Sequence, residues 1–167
     1  MILKSINEVS EKALNSFFCG NPELDRFLSK YALRNDQNGY GKTFVLEDNK
    51  KLIGFFTLCS SSIKFEEFPT TNGHLLPRYP IPCIRIARLA VEERFQRKGY
   101  GKELLKQAFL RIIDASTTVG VRLIVVDVKE TSKKFYEKYG FTHLKVDKLS
   151  YYILLDTVIE AFKETHQ

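Results

Sequence analysis

The sequence is short of the features that mark membrane, secreted and metal-binding proteins. No apolar run in its 167 residues approaches the roughly 20 that a transmembrane helix needs. The first residues lack the charged start and apolar stretch of a signal peptide. Three widely spaced cysteines argue against a disulfide framework and for a reducing compartment, and three scattered histidines define no metal site. We therefore expect a cytoplasmic protein with no membrane contact and no bound metal.

Two common phosphate-binding motifs are also missing. The chain contains no Gly-x4-Gly-Lys-[Ser/Thr] sequence, which excludes the phosphate loop of the nucleotide hydrolases. It contains no Gly-x-Gly-x-x-Gly sequence either, which excludes the dinucleotide-binding fingerprint. Any phosphate site in this chain must therefore use another pattern.

The composition does provide enough apolar residues for one core, together with an excess of positive charge. Apolar residues make up 44% of the chain, and no repeat or low-complexity linker interrupts it, so we expect a single domain over residues 1–167. Arginine and lysine exceed the acidic residues by 26 − 20 = 6. This surplus suits a polyanionic partner such as RNA or an acidic protein, and it suits a modest solubility charge equally well.

The first clear helical pattern lies at residues 22–35. Asn21 and Pro22 form an N-cap followed by proline at the first helical position. Lys30 and Arg34 fall on the side that is expected to face solvent. The buried side is predicted from four apolar residues at helical spacing: Leu24, Phe27, Leu28 and Tyr31.

The rest of the chain alternates between strand and helix patterns, which predicts a mixed α/β domain. Asp156 is a candidate cap for a short terminal helix. The irregular connection at 64–83 holds four of the five prolines, and long connections in compact domains are often functional. The predicted strands are 42–48, 52–63, 84–91, 122–128, 141–146 and 149–155, with a tight turn at 48–50. The other predicted helices are 101–115 and 131–139.

One segment has the composition of an anion-binding site. Residues 96–102, Gln-Arg-Lys-Gly-Tyr-Gly-Lys, join a predicted strand to a predicted helix. The amides at a helix start are unpaired and favour an anion such as a pyrophosphate. The two glycines allow close backbone approach, and the cations add charge. A glycine pair before a helix is also common in plain turns, so the surrounding motifs carry the interpretation.

Three motifs stand in a fixed order between residues 84 and 141. Residues 87–91 are Ala-Arg-Leu-Ala-Val, residues 96–101 are Gln-Arg-Lys-Gly-Tyr-Gly, and residues 135–141 are Phe-Tyr-Glu-Lys-Tyr-Gly-Phe. In this order they resemble the central strand, the pyrophosphate loop and the Phe-Tyr-x-x-x-Gly-Phe segment of the GNAT superfamily of acyl-CoA-dependent N-acetyltransferases. The resemblance implies the GNAT fold, a mixed central sheet of about six to seven strands that is flanked by helices and splayed at the central strands.

The resemblance also implies acetyl-CoA (coenzyme A) as the cofactor. In the family the pantetheine arm lies between the strands at 84–91 and 122–128 and bonds to their backbone like a missing strand. An amide near residues 89–91 would stabilise the oxyanion that forms when an amine attacks the thioester. The expected cofactor-binding residues are Leu89, Ala90, Val91, Gln96, Arg97, Lys98, Gly99, Tyr100, Gly101 and Lys102.

Tyr136 is implied as the general acid that protonates the leaving thiolate. The alternative is an aromatic ring packed on the cofactor or in the core, which is the role expected of Phe135 and Tyr139. Glu92 and Glu93 follow the central strand and are candidates for a general base, although glutamates at a strand end are usually only solvated.

The N-terminal half resembles one group within the family. Leu-Asp-Arg-Phe-Leu at 24–28, Thr-Phe-Val at 43–45, Gly-Phe-Phe-Thr-Leu at 54–58 and Ile-Pro at 81–82 are similar to motifs of GNAT toxins. These toxins acetylate the α-amine of an aminoacyl-tRNA and block translation. The implied partners are an aminoacyl-tRNA, a ribbon-helix-helix antitoxin and a second copy of the chain in a homodimer.

Elementary acid–base chemistry favours an α-amine acceptor. A lysine side chain has a pKa of about 10.4, whereas an α-amine titrates near 8 and is partly neutral without a strong base. The sequence offers no obvious base. Cations outside the loop could hold the tRNA backbone, although each alone is more often a surface charge; the candidates are Lys30, Arg34, Arg78 and either Arg85 or Arg88.

Two other functions fit the same motifs. One is a GNAT enzyme that acts on a small amine, a polyamine, an antibiotic or a protein terminus. The other is a catalytically weak acyl-CoA-binding protein that acts mainly through a partner. A ribbon-helix-helix gene next to this one would favour the toxin.

Overall fold

The computed structural model describes residues 1–69, 78–145 and 149–165. The described strands are β1 (Ile2–Ser5), β2 (Lys42–Asp48), β3 (Lys51–Ile63), β4 (Ile81–Val91), β5 (Leu123–Asp127), β6 (Thr142–His143) and β7 (Ser150–Leu154). The described α-helices are α1 (Glu11–Asn15), α2 (Pro22–Arg26), α3 (Ala32–Gln37), α4 (Tyr100–Ser116), α5 (Lys133–Lys138) and α6 (Leu155–Glu164). The mixed α/β class predicted from the sequence is confirmed.

The chain falls into two compact units. The first comprises residues 1–59 and 86–111, and the second comprises residues 60–85 and 112–167. Strands β3 and β4 and helix α4 contribute residues to both units. The expectation of a single domain stays a prediction.

In the first unit, four strands follow the order β1-β2-β3-β4. Strand β1 is antiparallel to β2, with Ile2 opposite Glu47. Strands β2 and β3 form the predicted hairpin, and its turn residues Asn49 and Lys50 have φ angles of 48° and 61°. Positive φ at both central positions matches the twist of paired strands, which is why two-residue hairpins favour it.

The core of the first unit lies between this sheet and the helical segment at residues 22–37. The side chain of Asn21 accepts hydrogen bonds from the amides of Glu23 and Leu24, so the predicted cap is confirmed. Phe27 stacks on Phe55 of β3 with the ring centroids 6.2 Å apart. The α-helical segments are too short to be stable alone, so the helix is stabilised mainly by the apolar side chains that it buries against the sheet.

A π turn divides this helix. Residues Phe27–Tyr31 form π-helical backbone between α2 and α3, and the amide of Ala32 donates to the carbonyl of Phe27, five residues earlier. The Ser29 hydroxyl donates to the carbonyl of Asp25 at 3.0 Å and supplies one partner that the regular pattern would have provided. We call residues 22–37 the π-turn helix.

The π turn corrects the predicted buried stripe. Tyr31 was expected on the inner side but is 43% exposed, whereas Ala32 is fully buried. A wide turn contains one extra residue, and this residue rotates all later positions around the helix axis. Phe27 and Leu28 are buried as predicted, and Lys30 and Arg34 are exposed as predicted.

The second unit contains the strand order β3-β4-β5-β7-β6. Strand β7 is antiparallel to β5, with Leu123 opposite Leu154, and β6 is antiparallel to β7. The amide of Arg122, just before β5, donates to the carbonyl of Pro82 at 2.8 Å. Further along both strands, Arg85 forms an ion pair with Asp127. From Pro82 to Arg85 along β4, the contacted residue moves from Arg122 to Asp127 in the same chain direction. Strands β4 and β5 are therefore parallel, and the sheet is mixed. Its core includes Ile63, Ile81, Cys83, Leu123, Val125 and Leu144.

Several predicted boundaries were wrong. Strand β4 begins at Ile81, before the predicted 84, because Pro82 needs only its carbonyl for the bond from Arg122. Asp156 lies in the first turn of α6 rather than at its cap. The cap residue is Leu154, which forms no side-chain hydrogen bond.

Of the predicted strand at 141–146, only Thr142–His143 is extended among the described residues, and residue 146 lies outside them. Residues 70–77 of the proline-rich connection also lie outside the described residues. None of the described helices is long and apolar enough to cross a membrane.

Asp36 of α3 is a buried carboxylate with three donors. Its oxygens accept from the amide of Thr43 at 2.9 Å, from Lys42 Nζ at 3.1 Å and from Asn7 Nδ2 at 3.0 Å. Burial alone would raise the pKa of this carboxyl, but the three hydrogen bonds outweigh burial and lower the pKa below its usual value. The charged form therefore ties helix α3 to strand β2.

Asp36→Asn should lower the free energy of unfolding at pH 7 by about 2–4 kcal/mol, because charge-assisted bonds to a buried carboxylate are lost. A lowered folded-state pKa means that the wild type keeps this contribution above about pH 4 and loses it as the pH falls through the folded-state pKa. Urea unfolding at pH 7 and at pH 3 should show the gap between the two proteins narrowing on acidification. Asp114→Asn, at an exposed position of α4, is the control. A gap that is independent of pH would contradict this account.

Gly54→Ala should destabilise the first unit by about 1–3 kcal/mol, because a Cβ there would overlap its neighbours. The added atom would lie 2.5 Å from the Ala90 carbonyl oxygen and 2.6 Å from Cδ1 of Leu104. Gly120→Ala is the matched control, since its Cβ meets no heavy atom within 4 Å. Urea unfolding should give a change within about 0.5 kcal/mol for the control. Equal losses for both variants would show that the close approach at Gly54 is unimportant.

Candidate active site

The ten predicted cofactor-binding residues all lie in the first unit, on β4 or between β4 and the first turn of α4. The first α-helical hydrogen bond of α4 runs from the amide of Glu103 to the carbonyl of Gly99 at 3.2 Å. By helix geometry the amides of residues 100–102 have no acceptor within the helix, and the 17-residue helix gives this end a partial positive charge. The start of α4 is thus suited to an anion.

The loop before α4 takes an unusual backbone path. Arg97 has a φ of 59° and Gly99 a φ of 87°. Left-handed residues next to right-handed ones turn successive amides toward one side and form a concave anion site. A Cβ built on Gly99 meets no heavy atom within 4 Å, so the space beside this glycine is open. Open space beside a loop with this backbone conformation fits a pyrophosphate group.

Gln96 holds this loop in place. Its Nε2 donates to the carbonyl oxygens of Val91 and Cys19, each at 2.9 Å. The amide of Glu93 donates to the carbonyl of Phe18 at 2.8 Å and fixes the same connection. The side-chain amide hydrogens of Gln96 are therefore used on the protein backbone, and this residue acts on the shape of the loop.

The cations of the loop face solvent. Arg97, Lys98 and Lys102 are exposed, and Lys98 Nζ lies 5.8 Å from the centre of the Phe95 ring. Phe95 in turn meets Tyr100 edge to face, with the ring centroids 5.9 Å apart. Formal charges at a helix N-terminus add to the partial charge of the amides and attract a phosphorylated ligand.

Side chains at the C-terminal end of β4 alternate between the two faces of the sheet. Ala90 is buried against the core of the first unit, whereas Leu89 and Val91 are half-buried on the other side. The amide of Glu92 donates to the carbonyl of Ile53 at 2.8 Å, where the pairing with β3 ends. This bond anchors the chain directly after residues 89–91, whose backbone donors and acceptors must be held in place to bind a ligand.

The two glutamates after β4 are not equivalent. Glu92 is buried, and its carboxylate accepts from Arg94 Nε at 2.9 Å and from the Arg94 amide. This ion pair occupies the carboxylate, so Glu92 is a poor candidate for a general base. Glu93 is exposed, as expected of a solvated glutamate.

Tyr136 lies in the second unit, on helix α5. Its ring is buried and packs edge to face on Phe135 and Phe141, with the centroids 5.0 and 5.5 Å apart. No described residue bonds to its hydroxyl, yet no buried side-chain oxygen among the described residues lacks a partner. Burial of the ring raises the pKa of the phenol well above its usual value, so the group stays protonated at neutral pH.

The predicted substrate-binding cations occupy different settings. Lys30, Arg34 and Arg78 are exposed. Arg88 is half-buried, with its guanidinium 3.7 Å from the centre of the Phe27 ring, and burial lowers its pKa. Arg85 is engaged by Asp127 at 2.6 Å and by Ser61. Of these side chains, the three exposed ones are available to a polyanion without breaking a contact.

Sequence reasoning missed Cys19. Its carbonyl accepts from Gln96, its amide donates to Asp25 at 2.8 Å, and burial with the Asp25 bond raises the pKa of its thiol to about 12. This residue therefore fixes the loop through its backbone and is not a reactive thiolate. No local pattern could have found it, because it is distant from the loop in sequence.

Comparison with known proteins agrees with this geometry. The family model described as an acetyltransferase (GNAT) domain matches residues 39–143. A tRNA-acetylating toxin of Mycobacterium tuberculosis is 32% identical over 143 residues, which cover 85% of this chain and 86% of that protein.

Two solved structures have the same fold. AtaT complexed with acetyl-methionyl-tRNAfMet is 23% identical, covers 96% of this chain and 98% of its own, and has a TM-score of 0.88. A mutant AtaT toxin bound to the C-terminus of the antitoxin AtaR and acetyl-CoA is 22% identical, covers 96% and 97%, and has a TM-score of 0.79. The family match extends over more than half of the chain and includes all three motifs noted in the sequence, at 87–91, 96–101 and 135–141. The chain belongs to the GNAT acetyltransferase family.

Proposed function

We propose that this protein is a toxin that transfers an acetyl group from acetyl-CoA to the α-amine of an aminoacyl-tRNA and thereby blocks translation. The observation that carries the proposal is the 32% identity to a tRNA-acetylating toxin over most of both chains. The excess of six positive charges is in keeping with a nucleic-acid substrate.

The first unit supplies the groups that would hold acetyl-CoA. The amides at the start of α4, the left-handed backbone at Arg97 and Gly99, and the exposed Lys98 and Lys102 suit its pyrophosphate. The backbone of residues 89–91 offers groups for the pantetheine arm and for the oxygen of the acyl group. When bound, acetyl-CoA supplies an activated thioester.

The second unit supplies the proton donor of the proposal. The Tyr136 phenol is protonated at neutral pH because burial raises its pKa. A phenol in this state can give its proton to the leaving thiolate, and the phenolate then regains a proton from solvent or from the proton that the attacking amine releases.

The acceptor amine does not require a strong base. An α-amine has a pKa near 8 and is partly neutral at physiological pH. Glu92 is occupied by Arg94, which leaves Glu93 and solvent as proton acceptors. This arrangement suits an α-amine better than the side chain of lysine, whose pKa is about 10.4.

The proposal includes an antitoxin as a partner. One structural neighbour is bound to the C-terminus of an antitoxin, and the sequence motifs resemble toxins that a ribbon-helix-helix protein neutralises. An antitoxin that covers the basic surface would use acidic residues, because opposite charges speed and direct association.

Purified protein should transfer label from acetyl-CoA to charged tRNA, and the acetyl group should be found on the α-amine of the released amino acid. Expression of the wild type should arrest growth. Gly101→Glu should abolish transfer because it puts an anion in the first turn of α4, at the proposed pyrophosphate site, and Gly120→Glu, at an exposed position after α4, is the control. Transfer to small amines or protein termini alone would reject the tRNA proposal while leaving an acetyltransferase.

Tyr136→Phe should lower kcat about tenfold or more, because a positioned general acid contributes at least that much. The affinity for acetyl-CoA, measured by calorimetry, should persist because the ring and its packing remain. Tyr139→Phe removes a hydroxyl at the end of the same helix and should leave kcat unchanged. Unchanged turnover in Tyr136→Phe would remove this residue from the mechanism.

A further inference from the structure

The outer side of the π-turn helix combines one exposed aromatic ring with three exposed cations: Tyr31, Arg26, Lys30 and Arg34. We propose that this side binds the single-stranded 3′ end of the aminoacyl-tRNA, with Tyr31 stacked on a base and the cations against the phosphates. The inference rests on the proposed function and assigns the substrate a binding surface on this chain.

The π turn is what exposes the ring. A regular helix would place Tyr31 on the buried stripe with Phe27 and Leu28, but the wide turn gives that place to Ala32. Turns of this type are uncommon and occur frequently at functional sites, since they lose regular hydrogen bonds. The large ring is left 43% exposed. Its position therefore suits a ligand rather than the core.

Arg26 positions this ring. Its guanidinium carbon lies 5.7 Å from the centre of the Tyr31 ring, within the range of a cation–π contact. A base stacked on the free face of the ring would complete a stack of the base, the Tyr31 ring and the Arg26 guanidinium. Stacking of this kind is the general way in which proteins hold unpaired bases, and any base can take part in it.

The charge on this side of the helix is positive. Arg26, Lys30 and Arg34 follow one another at intervals of four residues, or about 6 Å along a helix axis. The acidic residues nearby are engaged elsewhere: Asp25 accepts from the amide of Cys19, and Asp36 is buried with Lys42. Glu23 lies at the N-terminal end of α2. A polyanionic strand along the three cations would meet no free carboxylate between Arg26 and Arg34.

The inner side of the same helix contacts strand β4. Arg88 of β4 stacks on Phe27 with its guanidinium 3.7 Å from the ring centre, and Leu89 is the next residue. The π-turn helix is thus packed against the strand whose backbone at residues 89–91 is proposed to hold the acyl group. An acceptor end bound to this helix would therefore remain beside that strand.

An aromatic ring between cations favours RNA over an acidic peptide. An acidic peptide would use the three cations but would gain little from an exposed ring that a guanidinium already covers on one side. Unpaired bases use both features, because their phosphates need charge and their faces need a planar partner. If this surface binds the antitoxin instead, the variants below will lose antitoxin binding and still acetylate charged tRNA.

The test compares two acceptors for each variant: charged tRNA and a methyl ester of the same amino acid, which has the α-amine but no nucleotide. Tyr31→Ala should raise the KM for charged tRNA about tenfold or more, with kcat for the methyl ester unchanged. Tyr31→Phe keeps the ring and should behave like the wild type. Because Tyr31 is exposed and circular dichroism can verify the fold of both variants, the comparison isolates stacking from stability.

The cations have a separate signature. Lys30→Gln and Arg34→Gln should each reduce the slope of log Kd for charged tRNA against log salt by about 0.7–0.9. Lys51→Gln, which removes an exposed cation on the β2–β3 hairpin, should leave the slope unchanged.

Three outcomes would overturn the inference. These are an unchanged KM in Tyr31→Ala, equal losses with both acceptors, and loss of antitoxin binding with intact acetylation of charged tRNA. If the wild type acetylates the methyl ester but not charged tRNA, the proposed function fails instead, and the two failures are therefore distinguishable.

Discussion

Unpaired backbone amides at the start of α4 are the feature on which the candidate active site depends. They are unpaired because the first amides of any helix have no preceding turn to accept their hydrogen bonds. Helix α4 begins nine positions after the last residue of β4, so this end lies close in sequence to the strand. Gln96 fixes the connection between them by donating to the carbonyls of Val91 and Cys19. Donors that are held before a ligand arrives cost no ordering on binding, which makes a fixed backbone loop a better anion site than mobile side chains alone.

The π-turn helix serves two purposes because its two sides differ. Its inner side packs Phe27 and Leu28 into the core and carries the stacked Arg88, while its cap at Asn21 and the buried Asp36 fix both of its ends. The outer side then has no structural task among the described contacts other than the pairing of Arg26 with Tyr31. Because the inner side chains fix the helix to the core, the outer side chains are not needed for the fold and can contact a substrate.

Local patterns predicted most of the elements but not those that depend on distant partners. Strand β1 was missed because its four residues are too few for a period, and only pairing with β2 makes them a strand. The ring of Tyr31 was placed inside because apolar spacing assumes 3.6 residues per turn, which the Ser29 π turn breaks. Glu92 was a candidate base because the sequence does not show that Arg94 folds back onto its carboxylate.

The sequence by itself determined the family, the loop at residues 96–102 and the identity of Tyr136 as the candidate acid, because these depend on short contiguous motifs. Tertiary structure decided what those residues can do. Burial raises the pKa of Tyr136, the carbonyl of Cys19 braces a loop some 77 positions away, and the sheet decides which side of the π-turn helix is exposed. Burial, long-range hydrogen bonds and helix rotation are properties of packing between distant segments, and no local pattern encodes them.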